Sequence, residues 1–523
     1  MAVICHFILN KPKSLPPPSC KIGKKEPVLW LWICLFAILA CAIPETGILQ
    51  DLNDTISNEI APEVNPPFFK KPASGNPILT PTPDTPHTVP SIRNQPVDHA
   101  VRYGDSLAVI ARNYQVDLQS LIEYNQLANP DILEVGQIIR IPPPVILETG
   151  SSEKLIPDSE LVYSPSTIAF DISEFTKYHN GYLNGYSEVV DGQSTSGWQI
   201  VQRVSQEYSV NPRILLALLE HQSHWITRPD VEKITITYPL RFMNENYIGL
   251  YRQFAWAANQ LNYGYYLWQV GGFSGFNFSN RRIVSPANTL NAGTLGVQYL
   301  MSQLYDYEEW QNVISSKGIS QTFATLFGYA FDWTYDPVIP PDLRQPDLQL
   351  PFEDSVSWSF TGGPHGGWGS GSGWAALDFA PPGEALGCIS SNAWVTAMSD
   401  GIILSSERGR VVQDLDGDGN EQTGWTLLYM HIETRDRISV GEVVKAGDRI
   451  GHPSCEGGIS SGTHVHIARR YNGEWIPADG KIPFNLDGWI SEGQGFEYDG
   501  LLKRNGKTIE AFEGRKPENQ IHR

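Results

Sequence analysis

Positive charge is scarce in this 523-residue chain: 38 lysines and arginines stand against 57 aspartates and glutamates, a formal net charge of −19. That balance argues against a broad basic face of the kind that holds nucleic acid through its phosphates. Charge of either sign is thin at 18% of residues. Beyond the first 43 positions cysteine is nearly gone, since Cys5, Cys20, Cys34 and Cys41 precede that point and only Cys388 and Cys455 follow it. The apolar run Val28 to Ile43 falls short of the ~20 residues that span a bilayer comfortably. What is abundant is apolar and turn-forming: 41% hydrophobic residues, 11% aromatics, 47 glycines and 38 prolines. Such a chain buries several cores, about three or four domains at ~150 residues each, and its aromatic surface suits sugars or peptides.

Lys11, Lys13, Lys21, Lys24 and Lys25 precede the Val28 to Ile43 run, which is the layout of a secretory signal over residues 1–43, either cleaved or kept as an anchor. Ile38-Leu39-Ala40-Cys41 resembles a bacterial lipoprotein processing box in which Cys41 would carry lipid, although Leu39 is larger than that box usually allows. The expectation is an exported, extracellular or envelope protein that meets a membrane only through this end. In an oxidising compartment Cys388 and Cys455 could pair, a bridge contributing on the order of 4 kcal/mol in the chain-entropy model; the alternative is two separate buried thiols. Residues 44–98 are rich in proline, threonine and serine and form a semi-rigid spacer.

Residues 99–143 read as strand, helix, helix, strand. Leu107, Ile110 and Ala111 share one helical face and Leu118, Leu121 and Ile122 another, while Ile138 to Ile141 closes the unit. The Tyr-Gly-Asp-Ser-Leu start, Asn125, Asn129-Pro130 and Val135-Gly136-Gln137 make this unit resemble the lysin motif, LysM. The resemblance implies a βααβ fold that binds N-acetylglucosamine-containing glycan through Gly104, Asp105, Ser106, Asn129, Pro130, Asp131 and Ile132. A folded spacer without sugar affinity is the alternative.

A linker over 144–165 leads into a mainly α-helical middle region, 166–347. Asn211 and Pro212 start a helix that runs through Leu215, Leu216 and Leu219 to Glu220, and Asn291 to Leu304 is a second buried helix. Together they loosely resemble the lysozyme-like transglycosylases, in which a catalytic glutamate directly precedes a serine. Here Gln222 precedes Ser223, and Glu220 sits two positions earlier, turned by about 200° on a helix. The region is therefore expected to be non-catalytic, with Glu220 as a structural residue.

Residues 350–493 are Gly-rich and β-type, an expected all-β antiparallel domain. In Gly462-Thr463-His464-Val465-His466-Ile467 the two histidines fall on one face of a strand, about 7 Å apart at the backbone. Asp378 ends an apolar stretch before a Pro-Pro-Gly turn, and His431 closes the run Leu427-Leu428-Tyr429-Met430. Two histidines and one aspartate satisfy a catalytic zinc that keeps an open position. These motifs resemble the lysostaphin-like zinc metallopeptidases. The resemblance implies one Zn2+ per chain bound by Asp378 and His466, with His464 and His431 acting on the attacking water. The family's first zinc-binding histidine lies four residues before the aspartate, a position occupied here by Trp374. His365, thirteen positions before Asp378 across the Gly/Ser run 366–373, is the candidate third ligand.

Asp414, Asp416 and Asp418 repeat the first half of a calcium loop, yet Trp425 occupies the position of its bidentate acid, which leaves at most weak Ca2+ binding or a plain acidic turn. Residues 494–523 read as a charged, frayed tail. The parts converge on a zinc endopeptidase that cuts peptide crosslinks of peptidoglycan and is anchored to glycan by its LysM. Two other readings stay open: a non-catalytic wall-binding scaffold or amidase activator, and a transglycosylase acting through the middle region.

Overall fold

The computed structural model describes residues 86–523 apart from 91, 93, 103, 115, 144, 279–281 and 384. The signal, Cys41 and nearly all of the spacer lie outside the described residues. Among the described residues no helix is long and apolar enough to cross a membrane.

The small unit near the start pairs Val97–Ala100 antiparallel with Ile138–Ile141 and packs Leu107–Asn113 and Leu118–Asn125 between them in sequence. Its core is Leu107, Ile110, Ala111, Leu121, Ile139 and Ile141. Asn125 ties the second helix to the closing strand: its amide donates to the Arg140 carbonyl at 2.8 Å and accepts from the Arg140 N–H at 2.7 Å.

The middle region is helical around Gly197–Tyr208, Pro212–Ser223, Leu250–Gln269 and Ala292–Leu304. Asn211 caps the second of these by accepting from the Arg213 N–H at 2.9 Å, with Pro212 in the first turn. That helix is apolar all round, from Ile214 to Leu219 without an exposed residue, and forms the centre of the core.

The C-terminal region is built on a nine-stranded antiparallel sheet. Its central strands are Arg410–Asp414, Trp425–Met430, Val465–Tyr471, Ala376–Ala380 and Trp358–His365, in that order. Period-two alternation splits their side chains between two cores. Leu427, Tyr429, Val465, Ile467, Leu377 and Phe379 point into the C-terminal region's own core. Leu428, Met430, Ala468 and Ala376 point the other way, into the same apolar cluster as the helices. The helical domain thus covers one sheet face, and the covered face is the one that carries His466 and Asp378.

Polar bonds cross this contact. The Trp475 N–H donates to the Tyr266 hydroxyl at 2.9 Å, Gln269 Nε2 to Glu474 Oε1 at 2.8 Å, and Asn472 Nδ2 to the Val338 carbonyl at 3.0 Å.

The end of the chain is not the frayed tail expected from its charge. Gly500–Arg504 and Lys507–Glu510 form a hairpin, and Gln520–Ile521 adds an edge strand to the main sheet beside Trp358. The turn is Asn505-Gly506, both with positive φ (49° and 76°), the strongest short-range hairpin signal a sequence carries. Leu502 and Ile521 are buried, so the few apolar residues outweigh the many charged ones.

Candidate metal centre

Three residues far apart in sequence meet at one end of the sheet. His466 in Val465–Tyr471 stands directly opposite Asp378 in Ala376–Ala380. Trp358–His365 pairs with the Asp378 strand, and its register shifts twice, between Phe360 and Gly362 and between Gly362 and His365. Such irregularities re-aim side chains, and here they bring His365 to the other two. Gly362 faces Asp378 so closely that a Cβ there would lie 2.7 Å from Oδ2. Residues 366–373 loop out between the paired strands.

The atoms that converge are His365 Nε2, Asp378 Oδ1 and His466 Nδ1, separated by 3.2 Å (His365 to Asp378), 3.2 Å (His466 to Asp378) and 3.0 Å (His365 to His466). All three side chains are buried. The outer ring nitrogens fix the tautomers: His365 Nδ1 lies 2.8 Å from the Gly363 carbonyl and His466 Nε2 lies 3.1 Å from the Gly367 carbonyl, so both donate there. In the neutral rings the inner nitrogens then present lone pairs, as the carboxylate does. Three acceptors at this spacing repel unless positive charge lies among them. Ligands of a tetrahedral zinc stand about 3.3 Å apart, given bonds of about 2.0–2.2 Å, and a backbone carbonyl behind each histidine is the usual support for a ligand ring. The donor set and its spacing fit zinc.

The electrostatics ask for the same charge. Burial would raise Asp378, yet the His365 and His464 imidazoles hold it well below the ordinary carboxylate range. Burial would lower His365, yet Asp378 prevails and raises it. His466 is lowered by burial against the pull of the same carboxylate.

Two further imidazoles flank the triangle. His464 Nδ1 lies 2.7 Å from the Gly462 carbonyl, and Nε2 lies 3.7 Å from Asp378 Oδ1. His431 follows Trp425–Met430, whose Met430 pairs with His466. Its backbone is left-handed at φ 64°, uncommon for a residue with a Cβ. The Ser454 N–H and hydroxyl hold that turn by donating to the His431 carbonyl at 2.7 and 2.9 Å. His431 Nδ1 meets the Glu456 carbonyl at 3.0 Å, and its ring lies 4.4 Å from that of His464. Burial and the neighbouring His464 and His466 push His431 down to about 3. In each neutral ring the Nδ1–H donates to its carbonyl and Nε2 is left as the acceptor.

The cluster opens into a cleft of about 1510 Å³. One wall holds the loop 456–463, joined to the 386–389 loop by the Cys388–Cys455 disulfide, with a Cα separation of 5.7 Å. The lining also includes Tyr208 and Tyr251 of the helical domain. Tyr498 stacks on His365 with centroids 4.2 Å apart. Sequence reasoning missed it because it lies in the segment read as tail.

The other candidates are placed as follows. Glu220 is buried in the helical domain, where it accepts from the Ile226 and Thr227 N–H groups at 3.0 and 3.2 Å and from the Thr227 hydroxyl at 2.6 Å. In the LysM unit Asp105 accepts from the Arg102 N–H at 2.8 Å, and its pKa is lowered by that bond and by His99. Ser106 receives the Val109 N–H, Asn129 receives the Asp131 N–H, and Ile132 is exposed. Asp414, Asp416 and Asp418 do cluster. However, Asp414 accepts from the Asp416 and Gly419 N–H groups, and Glu421 turns away to Arg410 and Arg470. Nothing beyond the cluster supports calcium there.

Fold and site together fit a metallopeptidase. The chain matches two family models, the N-terminal domain of LasA over residues 154–338 and the LysM domain over residues 99–142. It is similar to Protease LasA of Pseudomonas aeruginosa, 25% identical over 346 residues that cover 62% of this chain and 75% of that protein. It is also similar to the beta-lytic metalloendopeptidase of Achromobacter lyticus, 28% identical over 176 residues, 31% of this chain and 43% of the other. Among solved structures, the M23 metalloprotease pseudoalterin from the deep sea aligns with a TM-score of 0.28 and 24% identity, covering 34% of this chain and 99% of that one.

Proposed function

We propose that this chain is an exported zinc endopeptidase that hydrolyses peptide crosslinks of peptidoglycan while its LysM unit holds the glycan. The observation that carries the reading is the buried convergence of His365, Asp378 and His466 with their facing atoms 3.0–3.2 Å apart, flanked by two further imidazoles in an open cleft. Those three residues would hold the metal, and a zinc ion there supplies Lewis acidity toward a peptide carbonyl. Nε2 of His464 and of His431 provides lone pairs on the cleft side. One takes the proton of the attacking water, and the charged ring can then return it to the leaving amine or steady the developing oxyanion. The backbone carbonyls behind all four rings keep them from rotating away. The Asn129 and Asp105 loops of the LysM unit are the proposed glycan contacts. Cys41, where lipid would attach, and the signal before it support export by sequence alone.

The test is mass spectrometry of peptidoglycan digested by the full chain, with and without a chelator. Loss of crosslinked peptides that the chelator abolishes, together with one zinc per chain, is the expected result. Intact crosslinks with protein still bound to the sacculus would move the reading to a wall-binding scaffold.

A further inference from the structure

Between His365 and Trp374 the chain runs through eight residues, 366–373, of which five are glycine. Such a segment loses more backbone freedom on ordering than any other composition, and it has few side chains to hold it. Yet both histidines of the triangle depend on it. His365 immediately precedes it, and the Gly367 carbonyl receives His466 Nε2. Within the loop, Gly367 N–H donates to the Gly373 carbonyl at 3.1 Å and Trp368 N–H to Ser372 Oγ at 3.0 Å.

Besides the Gly366 N–H, which donates to Glu497 at 3.4 Å, the loop is anchored by the helical domain. Asn259, half-buried on Leu250–Gln269, accepts from the Gly371 N–H through Oδ1 at 2.8 Å and donates from Nδ2 to Ser370 Oγ at 3.1 Å. The loop is pressed against that helix: a Cβ on Gly371 would lie 1.9 Å from the Asn259 carbonyl oxygen. The glycines are what permit the approach.

We propose that Asn259 is a positioning residue for the metal centre, which by gripping Ser370 and Gly371 fixes the loop that sets the orientation of His365 and His466. The helical domain then acts on the chemistry through this side-chain amide, beside the edge-to-face contact of Tyr208 with Trp368. This rests on the reading of His365, Asp378 and His466 as metal ligands.

The experiment uses the full chain, stripped of metal, with zinc affinity measured by competition with a chelator and the visible spectrum of the cobalt-loaded protein recorded. Loss of a group that directly supports a ligand costs about 10–100-fold in metal affinity. Asn259 acts one bond further out, so Asn259→Leu is expected to weaken zinc binding by about 3–10-fold and to change the cobalt spectrum. It should also lower kcat more than it moves KM. Asn259→Asp keeps the acceptor for Gly371 and should stay near the parent, and Ser370→Ala, at an exposed site, should fall between. A merely structural role would lower the melting temperature of Asn259→Leu and leave affinity and spectrum alone, which overturns the proposal. Should Asn259→Leu not fold, Ser370→Ala with parental affinity and spectrum overturns it equally. A parent chain that takes up no zinc would instead defeat the reading of the centre itself.

Discussion

Asp378 and Glu220 are both 8% exposed, and each has histidine beside it. Burial and company do not separate them; the donors do. Glu220 is met by two backbone N–H groups and a hydroxyl, so its charge is satisfied where it stands, closing the segment after its helix. Asp378 is met by imidazole nitrogens, and the inner ones are acceptors whenever their rings are neutral. A carboxylate whose partners are fixed amides is part of the structure. One that faces other acceptors needs a cation to complete it.

The sharpest way to break that contrast is to divide the histidines around Asp378. His466→Ala removes a corner of the triangle and should abolish bound zinc, with crosslink cleavage falling by more than about 10³-fold. His464→Ala leaves the triangle intact, so zinc should stay while kcat drops by about 10²–10⁴-fold. Plasma mass spectrometry of metal content beside kinetics on a crosslinked peptide distinguishes the two. Zinc lost equally from both variants would mean a closed four-ligand site, structural and not catalytic.

A third buried acid lies between these extremes. Glu474 sits where the helical domain meets the sheet, bonded to Gln269 and close to Tyr265, Asp158 and Asp336, and burial raises it to about 8. Its unfolded value is about 4.3. The folded chain therefore holds this proton over a range in which the unfolded chain has released it. Its contribution is fully present below about pH 4 and is lost progressively as pH rises to about 8. Denaturant unfolding of the full chain against pH should show a decline across that window which Glu474→Gln flattens. Parallel curves for parent and variant would show the carboxyl to be ionised in the interface.

How much of this could be read from sequence follows from how local each feature is. The His464-Val465-His466 pair, the Asp378 strand end and the His431 strand end depend on period-two alternation, which a few neighbouring residues determine. The LysM unit is legible for the same reason, since its turns and helical faces repeat within 44 positions. His365 was a candidate, but its path to the cluster depends on two register shifts opposite Gly362, which only strand pairing reveals. That the helices cover the His466 face of the sheet was not legible, because Met430, Ala468 and Ala376 look like any alternating strand residues. Tyr498 and the final strands were missed because sparse apolar residues among charges read as tail, although Asn505-Gly506 carried a hairpin signal that was passed over. The likeness of the middle region to transglycosylases rests on one helix and its neighbour, too little to fix what Glu220 does.

The smallest effect is expected at Glu220, and it tests that last point. Glu220→Gln keeps the shape, with its amide oxygen toward the Ile226 and Thr227 N–H groups and its NH2 toward the Thr227 hydroxyl, so those N–H groups lose their charged acceptor. The loss should amount to about 1–3 kcal/mol of stability by urea unfolding, while crosslink cleavage per folded molecule stays unchanged. A middle region that cuts glycan would behave oppositely, releasing 1,6-anhydro sugar ends in the parent digest that vanish in the variant. Because both carboxylates are equally buried, a stability loss without a change in products at Glu220, set against a loss of products at His466, would tie function to the partners of a buried acid and not to its burial.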